Sequence, residues 1–496
     1  MEDGEVEGTV NASHTQPLDE GPKYKPLPIL ISLLISGFIG MFSETALNIA
    51  ISDLLVVLQI TPATAQWLTT GFLLTLGILV PISGLILQWF TTRQLFVASL
   101  AFSILGTLTA ALAGSFEVLM VARVLQAIGT GLLIPLMFNT ILIIFPPEKR
   151  GAAMGVIGLV MMFAPAIGPT LAGLLIEHLS WHWIFWISLP CLVFGLVFGI
   201  LFMKNVSVIT KPPIDVYSII LSTIGFGGLV FGFSKAGEEH TDWGSSIVVF
   251  SLVIGAAALF LFVLRQLSMK KPMMNLSVFK YPMFIVGLVM ILLCMMMILS
   301  TMLILPLYLQ NGRGLTPLEA GLVLLPGGVL NGLMSPIMGS LFDKYGPKWL
   351  VIPGLIIAAV VLWFFSGVTT ASSLALLIVL HSSLFIGISM IMMPAQTNGL
   401  NQLPSELYPD GTAVMNTLQQ VAGAVGTAVA VSILSNGVTD YMRTSVNPLD
   451  PLEAIKAFTF GAQHSFLFGM AIAIIGLMTA FFIRRVRVDK QAMQQL

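Results

Sequence analysis

Apolar runs long enough to cross a bilayer recur fourteen times along this chain, and no other property limits its fold so tightly. They fall at 27–52, 63–88, 94–114, 118–144, 150–177, 181–203, 214–235, 245–265, 282–309, 316–342, 348–367, 372–399, 410–436 and 460–483. A helix rises ~1.5 Å per residue and the hydrocarbon core is ~30 Å thick, so each run is of spanning length as a helix. With 56% apolar and 9% charged residues, the chain cannot build a water-facing surface. The expected fold class is an all-α membrane protein with fourteen transmembrane helices. A net charge of −1 gives no reason to expect nucleic acid as a partner. Cys191 and Cys294 both lie in apolar runs, which argues against a disulfide framework or a metal cluster.

Fourteen is even, so both termini face one side. With the termini placed in the cytoplasm, 17 of the 22 Lys and Arg residues lie inside. Only Lys235, Arg313, Arg443 and Lys456 then lie outside, and Arg123 falls within a run. Positive charge collects on the cytoplasmic side of membrane proteins. The expected location is the cell (cytoplasmic) membrane, multi-pass, with both termini cytoplasmic. Residues 1–26 are polar and acidic and lack the pattern of a signal peptide, so they are expected as a disordered cytoplasmic tail, with a second tail at 486–496. One inner loop, Leu403 to Asp410, breaks the rule by carrying acids and no base.

The chain also repeats. Thr61-Pro62 opens the second run, and Thr316-Pro317 opens the tenth, 255 residues on. At the same offset Ala65 matches Ala320, Gly77 Gly332, Pro81-Ile82 Pro336-Ile337, Gly84 Gly339 and Leu95 Leu350. Such a register implies two pseudo-symmetric six-helix halves, 27–203 and 282–485, with a linker segment, 204–281, carrying two inserted helices. Internal repeats that meet at a mid-membrane site are the build of secondary transporters.

Within the first run stands one carboxylate, Glu44. An acid at bilayer depth costs ~2.5–3.5 kcal/mol on insertion scales. It either works there or sits at a helix end reaching the interface; Ala46 to Ile51 continue the run past it, which favours depth. Glu44 is therefore the candidate working acid, with Asn48 one turn further along its face. Arg123 opens Arg123-Val124-Leu125-Gln126-Ala127-Ile128-Gly129-Thr130-Gly131, where Gln126 shares its face and small residues permit close packing. Such an arginine either answers the protonation of an acid by pairing with it or snorkels to the outer surface.

Gly339-Ser340-Leu341-Phe342-Asp343-Lys344-Tyr345-Gly346-Pro347-Lys348 sets an acid beside two bases on a glycine turn, able to latch one conformation by charge pairs and helix-end contacts. Its first-half copy, Gly84 to Arg93, has Gln88 for the acid and Thr91 for the turn glycine, which puts that copy's gating role in question. Ala164-Pro165 followed by Gly168-Pro169-Thr170-Leu171-Ala172-Gly173 allows a bend in the fifth run.

Polar stripes at helical spacing run through the second helix (Gln66, Thr69, Thr70) and the thirteenth (Thr412, Asn416, Gln419, Gln420, Gly423). They serve either as helix-helix glue or as ligand contacts. The candidate substrate contacts are Asn48, Gln66, Thr70, Gln126, Asn416 and Gln420. His381 reads as a packed, hydrogen-bonded histidine. No nucleotide-binding glycine loop, metal-ligand spacing or nucleophile-base constellation is present, so neither an enzyme, a metal nor a cofactor is expected.

Together these stretches resemble the major facilitator superfamily, and within it the fourteen-spanner drug:proton antiporters, over Leu27 to Arg485. Ser43-Glu44-Thr45-Ala46-Leu47-Asn48-Ile49-Ala50 is similar to the family's first-helix motif, with glutamate for the usual aspartate, as in lincomycin-resistance-type multidrug exporters of Gram-positive bacteria. Gly339 to Lys348 is similar to its loop signature, the Arg123 stretch to its fourth-helix motif, and Gly168 to Gly173 to its antiporter motif, with Ala172 for a glycine. Ser180-Trp181-His182-Trp183-Ile184-Phe185 also resembles this family. The resemblance implies proton-coupled export of amphipathic small molecules by alternating access, with the proton gradient as energy source. It assigns Glu44 and Arg123 to proton coupling, and Gly168, Pro169, Gly339, Asp343, Lys344 and Lys348 to gating. The implied partners are the small substrate, protons and the lipid bilayer, with the chain a monomer. It further implies that relatives exporting dications use an extra acid in the tenth helix, whose middle, Leu322 to Met338, has none here. Neutral or singly charged cargo is therefore expected. Alternative roles for the same fold are a lipid or glycolipid flippase and a non-transporting membrane sensor.

Overall fold

The computed structural model describes residues 26–60, 62–207, 209–236, 243–270, 272–445, 447 and 450–486; the side chains of Glu44, Asn48, Gln66 and Pro169 lie outside that description. Most of the two expected tails also lies outside it. Fourteen long helices cross the molecule: α1 (Pro26–Val57), α2 (Pro62–Trp89), α3 (Thr92–Ala111), α4 (Phe116–Ile144), α5 (Pro147–His178), α6 (Trp183–Phe202), α7 (Val216–Ala236), α8 (Ser246–Ser268), α9 (Pro282–Leu307), α10 (Pro317–Tyr345), α11 (Lys348–Ser366), α12 (Leu374–Leu400), α13 (Tyr408–Thr444) and α14 (Pro451–Ala480). All fourteen are long and apolar enough to cross a membrane. Each overlaps one expected run. The largest departure is the α13–α14 hairpin, where both helices extend beyond their apolar runs. Polar residues one turn apart pair there, Arg443 with Asp440 at 3.8 Å and Lys456 with Glu453 at 2.8 Å, and support helix without lipid burial.

The packing repeats as the sequence does. In the first six helices α3 packs on α4, α1 on α5 and α6, α2 on α4, and α3 on α6. Adding eight to each number gives the contacts of α9–α14. The two halves meet along two seams related by the same rule, α5 with α10 and α13 with α2. Helix α7 packs on α8 and lies against both α2 and α13, so the inserted pair covers one seam. Large apolar side chains on α6, α8 and α11, among them Phe194, Phe250, Phe260 and Trp363, point outward, as lipid-facing surfaces require.

Prolines interrupt α2, α4, α6, α9, α10, α11 and α12, at Pro81, Pro135, Pro190, Pro306, Pro326, Pro336, Pro353 and Pro394. Neighbouring helices satisfy the backbone groups they free. Side-chain caps fix several starts: Ser115 for α4, Ser373 for α12, and reciprocal Thr-x-x-Gln or Thr-x-x-Glu boxes at Thr91 for α3 and Thr316 for α10.

Candidate transport site and gate

Arg123 sits two turns into α4 and is 0% exposed, so it does not snorkel to the surface. Its Nε donates to the carbonyl of Leu68 on α2 at 3.3 Å, and its Nη1 to the carbonyl of Ser43 on α1 at 3.1 Å. Nη1 also reaches Gln126 Oε1 at 3.2 Å, while the guanidinium lies 4.2 Å from the centroid of the Phe72 ring. Gln126 in turn donates to Thr107 Oγ1 on α3 at 3.2 Å. A buried guanidinium without such acceptors and an aromatic face would be prohibitively desolvated. Four helices thus hold one cation against the turn of α1 that carries Glu44. From the other direction α5 closes on the same turn: a Cβ on Gly168 would stand 2.4 Å from Thr45 Oγ1. Only glycine admits that approach.

The candidate substrate contacts divide. Gln126 has its amide committed to Arg123 and Thr107 rather than left open to a ligand. Thr70 on α2 is buried, and Asn416 on α13 is buried with its Nδ2 unpartnered among the described residues. Gln420 is half-buried, and Thr412 bonds back to the Tyr408 carbonyl of its own helix at 2.9 Å. Asn48 and Gln66 fall outside the described side chains.

A second polar assembly closes the bundle at the end where α1 begins and α14 ends. Asp343 accepts the backbone N–H groups of Gly151 and Ala152, each at 2.9 Å, at the start of α5 in the opposite half. The positive end of a helix favours a carboxylate there. The expected charge pairs are absent: Lys344 and Lys348 are exposed and neither bonds Asp343, because the carboxylate is turned to the other half. Arg485 instead donates to the carbonyls of Asp343, at 2.5 Å, and Lys344, at 3.3 Å. Gly346 takes φ +82°, the left-handed turn that glycine adopts without strain. Gly339 meets Gly151 almost backbone on backbone, with an added Cβ only 2.0 Å from the Gly151 carbonyl oxygen.

A family model described as Major Facilitator Superfamily matches residues 33–427. The chain belongs to the major facilitator superfamily. It is 70% identical over 467 residues to the lincomycin resistance protein LmrB of Bacillus subtilis (strain 168), covering 94% of this chain and 98% of that relative. The protein of the same name from Listeria monocytogenes is 62% identical with the same coverage. Among solved structures, the human organic anion transporter MFSD10 aligns with a TM-score of 0.62 at 13% identity, over 92% of this chain and 99% of that one, a likeness of fold.

The superfamily resemblance drew attention to Asp343 but not to Arg150, which the charge rule counts as one more loop base. Arg150 is only 2% exposed. Its Nη1 donates across the halves to Asn401 Oδ1 at 3.0 Å and Tyr408 Oη at 2.9 Å, and its Nε and Nη2 to the carbonyls of Phe145 at 3.1 Å and Leu142 at 2.6 Å. This answers the loop without a base: its cation comes from the other half. The loop's acid Asp410 is buried and accepts the Asn275 N–H at 2.9 Å. That acidic, base-free loop was the available signal.

Proposed function

We propose that this chain is a multidrug exporter that drives amphipathic small molecules out of the cell in exchange for protons, by alternating access of its two halves. The observation that carries the reading is the 70% identity, end to end, to a lincomycin resistance protein. The relatives named for tetracenomycin C resistance and multidrug export are consistent with it at 26–28% identity. The Arg123 cradle supports the coupling step, because it holds a buried cation beside the turn bearing Glu44. Proton uptake by Glu44 from outside weakens that turn's hold on Arg123, and rearrangement around Gly168 and Pro169 carries the acid toward the inner side. With both termini cytoplasmic, the Asp343 and Arg150 contacts form the inner gate, and the described arrangement is closed inward.

The test is growth inhibition by lincosamides and unrelated amphipathic drugs, with and without the chain, repeated with a proton uncoupler. Protection abolished by the uncoupler is expected; protection that survives it would remove the proton from the mechanism. Glu44→Gln keeps cargo binding and loses proton-driven efflux, whereas Glu44→Asp keeps part of it. Efflux of a monocationic dye exceeds that of its dicationic analogue, since Glu319, the acid on the outer part of α10, is exposed and occupied in the Thr316 cap at 2.8 Å.

A further inference from the structure

On the half that lacks Glu44, two buried polar side chains lack hydrogen-bond partners among the described residues. His381 on α12 is 4% exposed, and its Nδ1 has no hydrogen-bond partner among the described residues. It is thus packed, but not bonded as expected. The ring rests on Phe385, centroids 4.7 Å apart, and on Gly327 of α10, where an added Cβ would lie 2.1 Å from Nδ1. Glycine at 327 is what makes room for the imidazole. Asn331, one turn further along the same face of α10, is 1% exposed, and both its Oδ1 and Nδ2 are unpartnered. Side chains on a helix lean toward its N-terminus, so the Asn331 amide leans over the turn that Gly327 vacates for the ring.

No carboxylate explains the pair. Among the elements that touch α12, α10 carries Glu319 in its outer cap and Asp343 and Lys344 at its other end; α11 carries only Lys348; α9 carries no charge. On α5 lie Glu148, Lys149, Arg150, Glu177 and His178, and on α13 Asp410, Asp440 and Arg443, all at helix ends. Among the described residues, the charged groups of these helices all stand at helix ends, away from the imidazole and the amide. Burying two such groups unbonded is costly, and an orphaned polar pair marks a place where a state other than this one supplies the bond.

We propose that His381 and Asn331 form a second proton-binding site, carried by the C-terminal half. A proton from the outer side binds the Nδ1 lone pair while the halves are closed inward, and the new Nδ1–H donates to Asn331 Oδ1. When α10 and α12 repack to open inward, the ring releases that proton to the inner side and is neutral again. The inference rests on the proton-driven reading above, and adds a second proton to each cycle.

The test uses full-length protein in lipid nanodiscs with isotope-labelled histidine, the His381 signal being assigned by its loss in His381→Gln. In the wild type that signal responds to pH, as a ring that binds and releases a proton must. Asn331→Asp moves the midpoint to higher pH and Asn331→Leu to lower pH, each leaving the ring in place. In proteoliposomes, His381→Gln lowers the proton-to-cargo ratio by about one while cargo binding persists. A signal that does not titrate, a midpoint indifferent to both Asn331 variants, or an unchanged ratio overturns the proposal. If wild-type vesicles show no proton-driven efflux, the exporter reading fails by itself, and the titration still decides whether the site binds protons.

Discussion

The two seams between the halves descend from one design and have come to differ. At α5–α10, Gly339 presses on Gly151, and Asp343 reaches over to two backbone N–H groups of α5. At α2–α13, the equivalent Gly84 has more room, with an added Cβ 3.1 Å from Ala413 Cβ and 3.3 Å from the Pro409 carbonyl oxygen. Gln88, in the acid's place, turns away from the other half. It accepts Thr210 Oγ1 at 3.1 Å, and its carbonyl accepts the N–H groups of Thr210 at 3.1 Å and Lys211 at 3.2 Å. Trp89 donates to the Pro212 carbonyl at 2.8 Å, and Thr92 meets Ser207 at 3.0 Å. One loop latches the halves together; its twin fastens the linker leading to α7, which covers the seam the twin no longer latches. At the seam without the acid, the inserted pair lies where the latch would otherwise act.

The largest expected difference between the seams is steric. Gly339→Ala drives a methyl into backbone, and overpacking of ~1–3 kcal/mol lowers efflux about tenfold or more. Gly84→Ala needs a shift of a few tenths of an ångström and costs less than about threefold. Vesicle efflux normalised to protein content separates them, and equal losses would break the comparison. Next in size is charge. Asp343→Asn weakens hydrogen bonds worth roughly 1.5–3 kcal/mol when charged, so the inner face opens more often. Labelling of a cysteine placed at Glu148, which lines the groove beside Asp343, rises by about tenfold.

A smaller effect is expected at the covered seam's own anchor. Asp215, just before α7, accepts Arg265 Nε at 2.5 Å and Nη2 at 2.8 Å, together with Ser218 Oγ at 2.5 Å. The Arg265 guanidinium holds its carboxyl at about 2, below the ordinary 3.8. A depressed carboxyl contributes stability above the unfolded value, and that stability is lost as pH falls from about 4 toward 2. Asp215→Asn therefore melts lower at neutral pH, and its thermal curve converges on the wild type across that acid window. Smallest is Gln88→Asp. Restoring the acid does not restore the latch while Ser207, Thr210, Lys211 and Pro212 hold the loop, so efflux stays within about twofold of wild type.

Much of this was readable in the chain. Fourteen helices, their pairing by halves and the inserted pair follow from hydrophobic runs and a fixed offset, since lipid enforces helix wherever apolar length suffices. Helix ends were less readable at α13 and α14, where charge pairs rather than hydropathy extend the helix. Around Arg123 the motif located the residue, but its acceptors, the Ser43 and Leu68 carbonyls, are backbone groups and leave no mark in sequence. Arg150 was hidden for the opposite reason. A base beside a loop satisfies the topology rule whether it is solvated or buried across an interface, and only its fold partners Asn401 and Tyr408 distinguish the two.

The inserted hairpin leaves from and returns to the same face, and both its attachments are gripped: 210–212 by the α2–α3 loop, and Asn275 by Asp410 of α13. Between them, Gln266 ties α8 to α7 through Ser218 at 2.6 Å and to the Met274 N–H at 3.1 Å. The connection between the halves is therefore a strut, not slack chain. In the proposed alternating access, separating α2 from α13 would move this strut with them, because α7 packs on both and α8 turns its apolar face outward. In the proposed rocking cycle, part of the work would then be done on the membrane, with the surrounding lipid acting as a mechanical load.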